Sequence, residues 1–220
     1  MDFVPFVEWI LTAPDFIKQS PQFFQQLAYQ FYQTFIYQNR WHFFTDGLKI
    51  TFIVTIGALI IGIFLGLIAA IIRSTYETVD KRPLFLKILN SIVNIYLTVI
   101  RGTPMMVQLL IMGFVIMVPK TEIGTIACGI ITLGINSGAY VAEIIRSGLM
   151  SINKGQTEAG RSLGLSYFQT MYHIIIPQAI KNILPALGNE MITLLKDTSL
   201  VSVIALRGVT HQAQNLLDLT

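Results

Sequence analysis

Five ionisable side chains, Arg101, Glu143, Glu190, Lys196 and Asp197, stand within or at the edges of long apolar runs, and the amide Asn136 joins them. A charge held in an apolar layer is costly, so such groups face a polar cavity, a partner or one another. The chemistry they offer is binding and ion pairing. No acid–base pair or nucleophile set sits at matching depth, which argues against an intramembrane enzyme and leaves no catalytic residue to name. His42, His173 and His211 are scattered without metal-ligand spacing, so no metal site is expected. A glycine-rich phosphate loop with its lysine is also missing, and the chain is not expected to hydrolyse ATP itself.

Position separates the roles of these groups. Arg101 precedes Gly102-Thr103-Pro104, a helix break whose freed backbone groups suit a polar pathway. A structural ion pair with one of the acids is an equal reading of the same arginine. Glu143 lies three residues before Arg146, near the end of an apolar run, and the two are expected to pair there. Lys196 and Asp197 read as a self-neutralising pair at the opposite boundary. Asn136 and Glu190 are either pocket residues or hydrogen-bonded packing residues.

The elements that must carry these groups are membrane helices. Apolar residues make up 53% of the 220 and charged ones 12%, with a mean hydropathy of +0.63. Soluble domains hold about 25% charged residues, so this composition is that of an integral membrane protein. The pI of 9.0 is no sign of nucleic-acid binding, because the basic residues lie mostly between apolar runs. The lone Cys128 excludes an internal disulfide. The first residues lack a basic start and a small-residue cleavage site, so no signal peptide is expected.

A bilayer crossing takes about 20 apolar residues. Four spans meet that length, at about 50–72, 88–118, 123–145 and 174–200. The second, interrupted at Arg101–Pro104, reads as one crossing, kinked or preceded by a tilted segment. Arg73, Lys81, Arg82 and Lys87 then share a side with Arg146, Lys154 and Arg161, which the positive-inside rule makes cytoplasmic and which puts the N-terminus outside. Residues 1–47, rich in Phe, Tyr and Gln and broken by Pro5, Pro14 and Pro21, hold no run long enough to span. They form an extracytoplasmic segment, either lying on the membrane surface with Trp9 and Trp41 or folded on its neighbours. Gly62 with Gly66, and Gly134 with Gly138, offer small faces for close helix contact, within one subunit or between two.

Between the third and fourth spans stands a polar insert, residues 150–173. Gly155-Gln156-Thr157-Glu158 opens a short helix, with Thr157 as a cap and Glu158 at the positive end. Gly164 suits the left-handed position after that helix. Ser166-Tyr167-Phe168-Gln169 reads as a capping box for a second, and Pro177 marks a further break. Ala159 and Leu163 share one face, fit either for a groove on a partner or for the membrane surface.

Glu158-Ala159-Gly160, then Gly164, then Ile174-Ile175-Ile176-Pro177, resembles the EAA loop of permease subunits in bacterial ATP-binding-cassette importers. That pattern reads Glu-Ala-Ala, three residues, Gly, nine residues, Ile-x-Leu-Pro; here Gly160 replaces the second Ala and Ile176 the Leu. Arg101-Gly102-Thr103-Pro104-Met105-Met106-Val107-Gln108, Asn136 to Arg146, Lys154-Gly155-Gln156 and Lys196 to Ile204 resemble further elements of polar amino acid permeases. The likeness covers roughly Gly47 to Ile204.

It implies an all-α type I importer transmembrane domain (MetI-like) over 48–205, with 150–173 as the cytoplasmic coupling loop. Gly155, Glu158, Ala159, Gly160, Gly164 and Pro177 would serve ATPase coupling; Arg101, Asn136 and Glu190 would line the substrate pathway. The implied partners are a cytoplasmic ATP-binding subunit holding ATP and magnesium, a second permease subunit (identical or homologous), an extracytoplasmic binding protein and an amino acid. The implied location is the bacterial inner membrane, with no nucleic acid involved. Such permeases usually carry a fifth helix after the Lys-Asp-Thr-Ser-Leu element, whereas residues 206–220 hold no further apolar span, so four membrane helices are expected. A permease for another small solute, or an ATPase-coupled membrane sensor or scaffold, are the alternatives.

Overall fold

A computed structural model describes residues 6–79 and 81–204. Every regular element among them is helical, as a backbone must be that satisfies its own hydrogen bonds within a bilayer. The contacts divide the chain into two compact units, the first reaching Ile50 and the second starting at Thr51.

In the first unit α1 (Phe6–Thr12), α2 (Asp15–Lys18) and α3 (Gln22–Phe31) are short because Pro14 and Pro21 stand immediately before the second and third. Pro5 lies outside the described residues. Trp9 is buried against Phe6, Tyr29 and Tyr32, and so forms the unit's aromatic core. Trp41 stays half exposed.

The second unit carries the long helices. The first is α4 (Trp41–Thr78), which belongs to this unit from Thr51 onward; its 38 residues run roughly 57 Å at 1.5 Å per residue and overrun the expected span 50–72 at both ends. The second apolar stretch is two helices, α5 (Leu84–Gly102) and α6 (Met105–Ile111), the latter extended by a π-turn, Met112–Ile116. Pro104 causes the break: it lacks an N–H and pushes Thr103 into extended backbone (φ −115°, ψ 141°). Next come α7 (Glu122–Met150), the short α8 (Lys154–Ser162) and α9 (Tyr167–Thr170), and α10 (Ile176–Asp197). Among the described residues three helices, α4, α5 and α7, are long and apolar enough to cross a membrane, against the four expected. The 22 residues of α10 have the length, but Lys181, Glu190, Lys196 and Asp197 lower its apolarity.

The core of this unit is α7. Gly62 and Gly66 of α4 face it so closely that a Cβ on Gly66 would meet Val141 at 2.6 Å, and one on Gly134 would meet Ile61 at 2.7 Å. The small faces seen in the sequence therefore pack on each other inside one chain. From α5, Val93 and Leu97 close a cluster with Ala69, Ala139 and Ala142, and the Tyr96 hydroxyl donates to the Ile135 carbonyl at 2.6 Å. Against the C-terminal end of α7, Gly148 receives Ile183 of α10.

Candidate functional site

Three helices meet around a cavity of about 520 Å³. The break after α5 contributes Arg101 to Met105, α7 contributes Asn136 and Tyr140 one turn apart, and α10 contributes Glu190, Thr193 and Asp197. Spacings of three, four and seven residues put each helix's contribution on a single face. The three residues expected on a substrate pathway, Arg101, Asn136 and Glu190, thus share one wall. Asn136 and Glu190 are 7% and 9% exposed, so each needs a partner. Asn136 Nδ2 donates to Gln108 Oε1 (3.0 Å), and Glu190 Oε1 accepts from Ser137 Oγ (2.7 Å).

Gln108 also repairs the helix break. Its Nε2 donates to the carbonyls of Ile100 (2.8 Å) and Thr103 (3.1 Å) and to Thr103 Oγ1 (2.8 Å). Carbonyls freed by Pro104 are thereby satisfied, and the loop is held against α7 through Asn136. Sequence reasoning placed Gln108 in a motif without giving it a role. Its signal was a strong hydrogen-bonding amide four residues after a proline, in an apolar run. Tyr140 and Thr193 carried no such signal.

Arg101 lies on the cavity wall and also stands beside an acid. One guanidinium nitrogen lies 3.8 Å from Glu143, and its carbon sits 5.7 Å from the centre of the Tyr140 ring. A second polar cavity of about 500 Å³, lined by Arg73, Asn94 and Thr98, shares Arg101, Gly102 and Tyr140 with the first. Glu143 also meets Arg73 at 3.6 Å and Arg146 at 2.5 Å. One carboxylate thus ties three arginines from α4, α5 and α7, with two hydrogen bonds coming from Arg146. Lys196 and Asp197 differ from the expected pair: among the described residues they make no ion pair, because neighbours on a helix point about 100° apart. Asp197 turns to the cavity instead.

The polar insert forms α8 and α9. The cap of α8 is Asn153, whose Oδ1 accepts from the Gly155 N–H at 2.8 Å, so the helix begins before Thr157. It ends in a Schellman turn: Leu165 N–H donates to the Gly160 carbonyl, Gly164 N–H to that of Arg161, and Gly164 takes φ +82°. Ser166 and Gln169 make the full capping box of α9. Pro177 does not break the chain; it sits in the first turn of α10, after a π-turn over Met171–Ile175. Gly160 is buried, and a Cβ there would meet Thr170 Cγ2 at 2.8 Å. Gly155, Glu158, Ala159, Leu163 and Gly164 are exposed, as are Phe168 (82%) and Tyr172 (70%). Large apolar side chains this open, on a polar insert, form a surface suited to a partner.

Known proteins resemble the chain along most of its length. The family model for the binding-protein-dependent transport system inner membrane component matches residues 62–220. The L-cystine transport system permease of Bacillus subtilis is 34% identical over 82% of this chain and 74% of its own. For the glutamine transport system permease of Escherichia coli the identity is 36%, over 78% and 75%; for the arginine transport system permease of Bacillus subtilis it is 39%, over 78% and 74%. A crystal structure of an amino acid ABC transporter with histidines superposes with a TM-score of 0.71 at 38% identity, covering 91% of this chain and 84% of that one.

Proposed function

The chain belongs to the family of binding-protein-dependent transport system inner membrane components, and we propose that it carries polar amino acids across the membrane by alternating access. It is the membrane-embedded, non-catalytic kind of subunit. The observation that carries the reading is the cavity where Arg101, Asn136 and Glu190 converge among apolar helices. A pathway for a zwitterion needs both signs of charge and hydrogen-bonding groups away from lipid, and this wall supplies them. Relatives named for cystine, glutamine and arginine transport favour an amino acid over another solute, and favour transport over a scaffold.

A separate ATP-binding subunit, holding ATP and magnesium, docks on the exposed face of α8 and α9. Glu158, Ala159 and Leu163 make the contact, Gly160 and Gly164 fix its shape, and Gly155 and Pro177 set its two ends. A second permease subunit completes the pathway and an extracytoplasmic binding protein delivers substrate, with the N-terminus on the outer side. Basic residues gathered on α8 and at the end of α4 support that orientation. Co-expression with the ATPase tests the docking: the wild type is expected to capture it in detergent, and Glu158→Lys to lose it. Equal capture by Glu158→Lys contradicts the assigned surface.

A further inference from the structure

We propose that the first unit is seated in the lipid leaflet beside it and takes a phospholipid acyl chain into a groove between α1, α2 and α3. The groove encloses about 780 Å³, within the size range of small-ligand sites. Trp9 of α1, Phe16 and Ile17 of α2, and Phe24, Leu27 and Phe31 of α3 make most of its wall. Along α3, Phe24, Leu27, Ala28 and Phe31 recur at helical spacing and form one face, while Gln22, Gln26 and Gln30 form the other. The apolar face lines the groove and yet stays open: Phe16 is 75% exposed, and Phe24, Leu27 and Phe31 are each more than half exposed. An apolar patch of this kind on so small a unit needs a cover.

Among the described residues no charged side chain lines the groove. The Thr12 and Ser20 hydroxyls on its wall already donate to the carbonyls of Trp9 (2.9 Å) and Ile17 (2.6 Å). The wall therefore offers chiefly hydrocarbon, and a polar ligand would lose its hydration there without replacement. Residues 6–39 hold three charges, Glu8, Asp15 and Lys18, and the last two face each other at 3.5 Å. A protein partner would find little charge to steer by or to pair with, whereas a leaflet needs none. Continuity of the chain keeps lipid within reach. The unit's last residues are the first of α4, which runs unbroken to Thr78 and is long and apolar enough to cross a membrane. Residues 32–40 alone join α3 to it; fully extended they would span about 30 Å at most, and wound as a π-turn and a 3-10 turn they reach less. Trp9, which packs on Tyr29 and Tyr32, belongs to an aromatic cluster of the types found where lipid meets water.

Trp9 and Trp41 are the chain's two tryptophans, so Trp41→Phe leaves Trp9 as a reporter on the groove wall. The full chain carrying that substitution is placed in phosphatidylcholine vesicles, made with or without bromine at the middle of the acyl chains. Bromine quenches an indole only near contact. Trp9 is expected to lose most of its emission in the brominated vesicles and to resist acrylamide, a quencher dissolved in the water. Ala28→Phe, which fills the groove from α3, is expected to restore most of that emission. If this second variant fails to fold, the two quenchers on Trp41→Phe alone still decide. Quenching by acrylamide, whatever bromine does, would leave the groove open to water. Quenching by neither would give its cover to protein, a second copy of the chain included. Either result overturns the proposal. So does bromine quenching that a folded Ala28→Phe leaves unchanged, because Trp9 would then meet lipid with no chain in the groove.

Discussion

At Gly160 one hydrogen in place of a methyl lets α8 close on Thr170, whose side chain is fully buried. Gly160→Ala is expected to lower stability by about 1–3 kcal/mol through overpacking. Thr170→Ala removes the obstructing methyl and hydroxyl, so the double variant should recover part of that loss in a thermal-unfolding cycle. Equal losses in single and double variants would show that the contact does not matter. Glu143 makes a second test, since three arginines depend on it. Glu143→Gln should cost about 2 kcal/mol, between the values for exposed and buried pairs. Asn136 and Glu190 were legible because a polar group in an apolar run needs a reason. The Arg73–Glu143 contact was not, because it depends on how α4 is rotated against α7. Lys196 and Asp197 show the same limit: adjacency in sequence suggested a pair that helical geometry separates.

The two short helices of the insert are held by local signals, which is why most of them could be read in advance. Gly164 takes a left-handed φ of +82° and Ser166 closes a full capping box. Gly164→Ala and Ser166→Ala should each cost about 1 kcal/mol. If α8 and α9 transmit ATPase closure, both should also lower substrate-stimulated ATP hydrolysis more than they lower assembly. Unchanged stimulation would separate this turn from coupling. The start of α8 was misread because Asn153 and Thr157 are both good caps, and the choice depends on where the preceding loop turns. Pro177 was misread as a break because a proline in a helix's first turn has no hydrogen bond to lose. The break before α6 was legible for the opposite reason: there the proline follows a glycine within one long apolar run.

Across the whole molecule, α7 is the shared wall: glycines seat α4 on it, alanines seat α5, and Ser137 bonds Glu190 of α10. The long helices α4, α5 and α7 were legible from hydropathy, whereas the count of four was not met among the described residues; which faces meet was not legible, except along the glycine seam. Orientation is testable with single cysteines in a Cys128→Ser background. A membrane-impermeant thiol reagent on right-side-out vesicles is expected to label Lys120→Cys and spare Gln156→Cys, and the reverse pattern would invert the topology. The central claim is that the Arg101 cavity is the route of an amino acid. ATP-driven uptake into proteoliposomes holding the assembled transporter measures it most directly. Wild type is expected to accumulate amino acid, and Arg101→Ala, still co-purifying with the ATPase, to lose about tenfold or more of that rate. Uptake by Arg101→Ala at the wild-type rate would contradict the account.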